Sequence, residues 1–272
     1  MNELATRSGN PPLPPLSNPP LSPRQTLPTM YDLPSEDPEE IRMPDEYHGL
    51  QSFLLRCTFL PGNFILEQVF VGTDLNIYYD RRNLNWYKRP DWFAVVGVER
   101  LYDGHDMRDS YVMWQELVSP FVIVELLSPS TENEDLGQRI LEYERLSEYG
   151  KESTVRQPGN PPTKWEVYEQ ILRVPYYIVF TRYTNELQIF HLVGDRYKPA
   201  PLSNGRFLIP QLKLSLGLWR GSYEGIDRLW LRWFTADGEL ILTPDEKAAA
   251  AQQRVERLAA KLRELNIDPD SL

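Results

Sequence analysis

Short apolar runs separated by turn residues occupy the middle of the chain and predict a β-sheet. β-branched and aromatic residues dominate these runs, a composition typical of strands bounded by Gly, Pro, Asn and Asp. The last two runs are close enough in sequence to form a hairpin. The predicted strands cover residues 64–72, 75–80, 92–98, 121–127, 176–180 and 186–193.

A different spacing of apolar residues predicts helices. Tyr47, Leu50, Phe53, Leu54 and Cys57 recur at helical intervals, so residues 43–59 should form a packed helix. Charged residues predict a second helix at 131–150, and a shorter amphipathic helix should follow at 163–174. Strands, then helices, then strands again predict a mixed α/β sheet flanked by helices.

The two ends of the chain differ from its middle. Prolines crowd residues 1–30, and such a segment buries too little apolar surface to order itself. We therefore predict a disordered Pro-rich tail at 1–35 and a folded domain at 36–240. Near the end of that domain the aromatic residues Trp219, Trp230 and Trp233 are expected to cover the core.

A C-terminal helix is predicted at 244–266. Its apolar residues alternate in steps of four and three, as in a short coiled-coil seam: Ala251, Val255, Leu258, Leu262 and Leu265. The seam covers only about two heptads, which is marginal on its own. Two interpretations stay open: a solvated tail helix, and a helix that either joins two copies of the chain into a homodimer or binds a partner.

Composition narrows the class of protein. The chain has 272 residues, 41% of them hydrophobic, and it lacks an apolar stretch long enough to cross a membrane. Its one cysteine, Cys57, excludes an internal disulfide framework and a thiolate zinc cluster. We expect a cytoplasmic protein without a membrane partner. The net charge of −10 argues against wholesale wrapping of nucleic acid but leaves room for a local basic cleft.

One carboxylate sits where a strand should be apolar. Glu125 lies inside the run FVIVELL, and burying its charge is costly without a compensating partner. Asp91 follows Pro90 at the entrance of another predicted strand, so the two carboxylates can converge at one sheet edge. Such a pair can hold Mg²⁺ or Mn²⁺. Alternatively, Glu125 forms a structural ion pair and Asp91 caps a turn.

Hydrolysis of a phosphate ester would also need a positive group. Lys164 begins one predicted helix and Arg139 lies in another. Either side chain could supply the charge.

Three stretches of the sequence resemble the corresponding parts of a known protein family. Pro90 and Asp91, then VIVELLSPST at 122–131, then KWEVYEQILRVPYYIVF at 164–180, resemble the Uma-two family of bacterial endonucleases. That family is a branch of the PD-(D/E)XK restriction-endonuclease-like superfamily, and the resemblance spans roughly residues 43–193. It implies a restriction-endonuclease-like fold.

The resemblance also implies roles for single residues. Asp91 and Glu125 would bind Mg²⁺ or Mn²⁺, and Lys164 would complete the catalytic set, with Tyr168 four residues further on. Glu46 on the first helix could add an acidic ligand.

The spacing departs from the family pattern, because some thirty residues separate the Ser-Pro-Ser-Thr turn from Lys164. Measured from Glu125, Arg139 stands where the family has its lysine. We prefer Lys164, since the strand that should follow the lysine helix, VPYYIV, follows Lys164. Residues of about 132–163 then form an insertion.

These observations lead to a functional hypothesis. The chain should be a metal-dependent endonuclease that hydrolyses phosphodiester bonds of nucleic acid, with DNA favoured over RNA. The alternative is a non-catalytic nuclease fold that serves as a binding or scaffolding module and self-associates through its C-terminal helix.

Overall fold

A six-stranded mixed β-sheet forms the centre of the computed structural model, which describes residues 45–127, 161–265 and 268–269. The Pro-rich tail, the helix expected at 131–150 and nearly all of the expected insertion lie outside the described residues. The strands are β1 (Val69–Thr73), β2 (Ile77–Tyr78), β3 (Tyr87–Lys88), β4 (Trp92–Val96), β5 (Tyr111–Val112), β6 (Val122–Leu127), β7 (Tyr176–Thr181), β8 (Glu186–Val193), β9 (Arg196–Pro199), β10 (Arg206–Ile209), β11 (Leu214–Tyr223) and β12 (Ile226–Thr235).

Helices and helical turns connect and cover these strands. They are α1 (Glu46–Thr58), α2 (Met113–Glu116), α3 (Lys164–Glu166) and α4 (Pro244–Glu264), with 3₁₀ turns at Leu66–Gln68 and Pro210–Leu212 and a π-helix at Val167–Ile171. The π-helix continues α3 without a break, so the two form one helical segment.

Strand order in the central sheet is β1-β4-β6-β7-β8-β9. Strands β6 and β7 run parallel, whereas the other neighbours in this sheet are antiparallel. A parallel pair needs a long crossover connection, and here α3 and the π-helix lie on that crossover. Two smaller sheets, β10-β11-β12 and β3-β2-β5, complete the described fold.

The middle strands of the central sheet, β4, β6 and β7, are buried on both faces, which is why they read as nearly continuous hydrophobic runs. On one face Trp92, Val124 and Ile178 pack with α1 and with β11 and β12. On the other face Phe93 and Tyr177 pack with the α3 and π-helix segment. Alternation along β6 places Glu125 on this second face, opposite Val124 and Leu126.

Helix α1 is fixed to the sheet of β10–β12 by a buried amide. Gln51 donates from Nε2 to the Leu231 carbonyl at 2.8 Å and accepts from the Leu231 N–H at 2.9 Å. These two bonds give both polar atoms of the side chain a partner where it is 0% exposed.

Helix α4 begins with a capping box at Thr243 and Glu246. Arg232 on β12 is 0% exposed and binds Glu246 through both terminal nitrogens at 3.0 and 2.8 Å. The start of the helix is therefore tied to the core. No residue of α4 is buried, and no helix in the described part of the chain is long and apolar enough to span a membrane.

The predicted fold class is confirmed, because a mixed sheet with flanking helices forms from the expected runs. Trp230 and Trp233 are fully buried in the core and Trp219 packs against it, as predicted. Three details differ. Leu66–Gln68 form a 3₁₀ turn instead of strand, the run at 75–80 yields only Ile77–Tyr78, and the amphipathic helix is largely π-helical.

Candidate active site

Glu125 on β6 faces Asp91, the residue that immediately precedes β4. Strands β4 and β6 pair antiparallel with Trp92 opposite Val124, and the same register continues to these two residues. Each carboxylate accepts a hydrogen bond from the backbone of the other strand. The Asp91 N–H donates to Glu125 Oε2 at 3.3 Å, and the Leu126 N–H donates to Asp91 Oδ2 at 2.6 Å. The carboxylates therefore converge, as the sequence predicts.

Glu125 is 0% exposed, so the cost of its charge must be offset by donors. Lys164 supplies the opposite charge, with Nζ 3.1 Å from Oε2. The Tyr168 hydroxyl donates to Oε1 at 2.9 Å. Together with the Asp91 N–H, these contacts give both carboxylate oxygens a partner. The conflict between an apolar strand and a buried carboxylate is thus resolved by the helical segment of the crossover.

The lysine-bearing segment is positioned by its cap and by aromatic packing. Thr163 caps α3 and forms a capping box with Glu166, which fixes the start of the helix at Lys164. Trp165 packs edge-on against Tyr177 of β7, with ring centroids 5.8 Å apart. Lys164 and Tyr168 lie one turn apart and both reach Glu125.

The π-helix lies where the segment carries Tyr168. The Leu172 N–H donates to the Val167 carbonyl at 2.8 Å, a bond that spans five residues. π-Helical turns are rare and occur often at functional sites. Glu169, next to Tyr168, is buried and binds the Tyr197 N–H and the Arg196 guanidinium, which ties the turn to β9.

Further polar groups support the Asp91 backbone. The Asp91 carbonyl accepts from Ser52 Oγ and from the Asp74 N–H, both at 3.2 Å. His48, buried on α1, lies with Nε2 2.7 Å from the Leu126 carbonyl. Sequence reasoning did not assign these contacts. A signal was present, since polar His48 and Ser52 share a helix face that packs inward.

Asp74 and Arg89 form an ion pair at the margin of the site. Arg89 Nε lies 2.7 Å from Asp74 Oδ1 and Nη2 donates to Oδ2 at 2.8 Å. Burial raises the pKa of the Asp74 carboxyl, although the charges of Arg89, His48 and Lys164 oppose that rise. Asp74 therefore lies within electrostatic range of Lys164. The sequence offered no pattern that would have singled out this pair.

The carboxylate pair fits a hard divalent cation by the chemistry of its donors. Mg²⁺ is commonly held by one or two carboxylates, with waters and substrate phosphate oxygens filling its remaining positions. Asp91 and Glu125 supply such a pair from adjacent strands. Among the residues that the structure describes, no cluster of three or more Asp, Glu, His or Cys side chains could hold a metal ion. Water and phosphate would thus complete the shell.

The remaining predicted residues lie apart from this cluster. Glu46 is exposed at the start of α1, and within residues 45–127 and 161–265 no hydrogen bond or ion pair joins it to Asp91 or Glu125. Arg139 lies outside the described residues. The structure therefore brings together Asp91, Glu125, Lys164 and Tyr168, and leaves Glu46 out.

Comparison with known proteins gives three findings. A structure search finds similarity to a crystal structure described as "a putative nuclease belonging to DUF820" from Anabaena variabilis, with a TM-score of 0.37 and 9% sequence identity. The aligned region covers 63% of this chain and 76% of that chain. No curated protein matches the sequence. The model of the Uma2 family, described as "Putative restriction endonuclease", matches residues 25–229, well over half of the sequence. The chain therefore belongs to the Uma2 family.

Proposed function

We propose that this protein is a metal-dependent endonuclease that hydrolyses phosphodiester bonds, with DNA favoured as the substrate. One observation carries the proposal. Glu125, Asp91 and Lys164 come from three separate elements and meet through contacts of 3.1 and 3.3 Å. Two carboxylates beside one ammonium form a set that can act on a phosphate ester. Membership of the Uma2 family supports the same conclusion.

Asp91 and Glu125 would hold the cation. A divalent cation supplies positive charge against the phosphate as negative charge grows in the transition state. The backbone bonds between β4 and β6 fix both carboxylates before substrate arrives, so little reorganisation is needed.

Lys164 would act on the attacking water or on a phosphate oxygen. The Lys164 side chain is only 13% exposed, and the low dielectric of such a position strengthens the attraction of its ammonium for negative charge. Lys164 already contacts the carboxylate that would hold the cation. The two positive charges would therefore act on the same phosphate group.

Tyr168 would serve as a positioning residue. Its hydroxyl donates to Glu125 Oε1, so it orients the carboxylate and leaves Oε2 directed at Lys164 and Asp91. Such a residue affects catalysis through the carboxylate that it holds.

Cleavage assays test the proposal directly. Supercoiled plasmid, single-stranded DNA and RNA would be incubated with the purified full chain in Mg²⁺, in Mn²⁺ and in EDTA. We expect cleavage of DNA with either ion, none in EDTA, and none with Lys164→Ala. Lys198→Ala is a matched control, because Lys198 is an exposed lysine on β9. Absence of cleavage on the whole panel would contradict the proposal.

A second candidate function is supported by α4. The helix has 21 residues and none is buried, while Val255, Leu258 and Leu265 are each more than half exposed. A non-catalytic module that self-associates through this face would bury the seam in a homodimer. Sedimentation of the full chain and of its Leu258→Asp variant tests this function, with Arg254→Asp, a change at an exposed residue, as the control. A monomeric wild type would reject this function.

A further inference from the structure

A surface groove of about 480 Å³ combines aromatic rings with arginine side chains. Its lining consists of Tyr79, Asp80, Arg81, Arg82, Met113 and Trp114. Most of these residues belong to the β2–β3 hairpin and the rest to α2. The mechanism described above uses none of them.

The β2–β3 hairpin, whose connecting loop lines most of the groove, begins and ends beside the candidate active site. The Asp74 N–H donates to the Asp91 carbonyl, and Arg89 binds the Asp74 side chain and carbonyl. These contacts close the base of the hairpin beside Asp91. Tyr87 is paired with Tyr78, and at about 3.3 Å per residue Tyr87 lies on the order of 15 Å or less from Asp91. A nucleic acid strand bound at Asp91 could therefore reach the groove within a few nucleotides.

Aromatic rings form one side of this region. Tyr78 lies between Tyr87 and Trp114, with ring centroids 5.5 and 6.5 Å away. Trp114 is 37% exposed, which is high for the largest apolar side chain. The segment that presents it is held firmly, because Arg108 binds Glu116 at 2.6 Å where both side chains are nearly buried. The rings thus form an aromatic platform beside the groove, inclined to one another by 52° and 66°, and Trp114 extends it into the groove lining.

The groove lining has more positive than negative side chains, whereas the whole chain is acidic. The chain carries a net charge of −10, yet Arg81 and Arg82 stand exposed side by side. Within residues 45–127 and 161–265 neither guanidinium forms a salt bridge. The one carboxylate of the lining, Asp80, accepts from the Asn83 side chain and the Arg82 N–H, and these bonds lower its pKa. Asp80 therefore shapes the turn that presents the arginines.

We propose that this groove binds unpaired nucleotides of the substrate next to the bond that is cut. The choice of nucleic acid as the occupant rests on the proposed function. Arginines at an aromatic platform suit a sugar–phosphate backbone with accessible base faces. Bases in a duplex stack on one another and expose only their edges, so the exposed ring of Trp114 favours single-stranded or locally unpaired nucleic acid, whose base faces are accessible.

Binding measured without cleavage tests the inference. The full-length chain would be titrated in EDTA against a fluorescein-labelled single-stranded DNA and against its duplex, with fluorescence anisotropy as the readout. We expect the single strand to bind at least tenfold more tightly than the duplex. Equal affinities would overturn the inference.

Two sets of variants locate the binding. Trp114→Ala should weaken single-strand binding about five- to tenfold, because stacking on one base is lost. Arg81→Ala combined with Arg82→Ala should lower the slope of log affinity against log salt by about 1.4. Arg254→Ala with Arg257→Ala, two exposed arginines of α4, should change neither quantity. The arginine pair keeps the test valid if Trp114→Ala fails to fold.

The outcomes separate this inference from the nuclease proposal. If the wild type cleaves and the groove variants bind as the wild type does, the groove inference is wrong while the nuclease proposal stands. If the groove variants lose single-strand binding and the wild type cleaves nothing, the groove inference stands without the nuclease.

Discussion

Lys164 and Glu125 form a buried ion pair, with Nζ 3.1 Å from Oε2, across the long crossover between β6 and β7. The sequence left two interpretations of Glu125 open, a metal ligand and a structural ion pair. The partner in the ion pair is the same lysine that the endonuclease hypothesis requires. The pair can therefore offset the charge of Glu125 without metal and still lie at the centre of the proposed chemistry.

Substituting Lys164 and Arg139 separately tests which of these two side chains supplies the catalytic positive charge. Lys164→Ala should abolish Mg²⁺- or Mn²⁺-dependent cleavage of nucleic acid, because the ammonium beside Glu125 is lost. The fold should persist, since Tyr168 and the Asp91 N–H still donate to the carboxylate. Arg139→Ala should change cleavage less than about tenfold, equivalent to about 1.4 kcal/mol of barrier. The reverse pattern would assign the catalytic position to Arg139.

Glu125→Gln should lower the free energy of unfolding in EDTA by about 3 kcal/mol. The amide keeps the shape of the side chain, but it removes the negative charge 3.1 Å from the nearly buried Lys164 ammonium. Thermal or urea unfolding in EDTA measures the loss, with the exposed Glu239→Gln as the control. Unchanged stability would mean that the ion pair contributes little to folding.

Tyr168→Phe should separate the effect of orienting Glu125 from the effect of the Lys164 charge. The variant keeps the ring but removes the donor to Glu125 Oε1, at a cost of about 1–2 kcal/mol in unfolding free energy. Cleavage should fall by about tenfold, much less than in Lys164→Ala.

Tyr197→Phe serves as the matched control for that substitution. Tyr197 is a buried tyrosine whose hydroxyl donates to the Val174 carbonyl at 2.9 Å, away from Glu125. This change should cost similar stability and leave cleavage nearly unaltered. Equal loss of activity in both variants would show that Tyr168 acts only through stability.

The anchor of α4 should be sensitive to pH. Burial opposes ionisation of Glu246, but hydrogen bonds from Arg232 and Thr243 and the charge of Arg232 outweigh it and lower the pKa of that carboxyl. A lowered pKa stabilises the fold above the ordinary glutamate value of 4.5, and that contribution is lost as pH falls through the lowered pKa.

Glu246→Gln should therefore destabilise the protein at neutral pH by about 2 kcal/mol, because the fully buried Arg232 loses its charged partner. Urea unfolding of the variant and the wild type across a pH series checks this. The difference between them should shrink at acid pH, where the wild-type carboxyl is protonated. A constant difference would contradict the ionic account.

Local patterns in the sequence determined much of the fold. Hydrophobic runs located the strands that become β4, β6 and β7, because a strand buried on both faces is apolar along its length. The β11–β12 hairpin was not predicted, since its sequence is rich in aromatic and turn residues and indicated only that its tryptophans cover the core. Pairing across ten residues of each strand overrides those local preferences.

The candidate site divides in the same way. Glu125 drew attention as a charged residue within an apolar run, because burying a charge is costly. The Pro–Asp step at the entrance of a predicted strand pointed to Asp91. Which groups surround them was decided by tertiary structure. The antiparallel register of β4 and β6, the parallel placement of β7 and the π-helical turn bring Lys164 and Tyr168 to one carboxylate. Pairing between strands that are far apart in sequence sets these distances, so the spacing of residues along the chain does not reveal them.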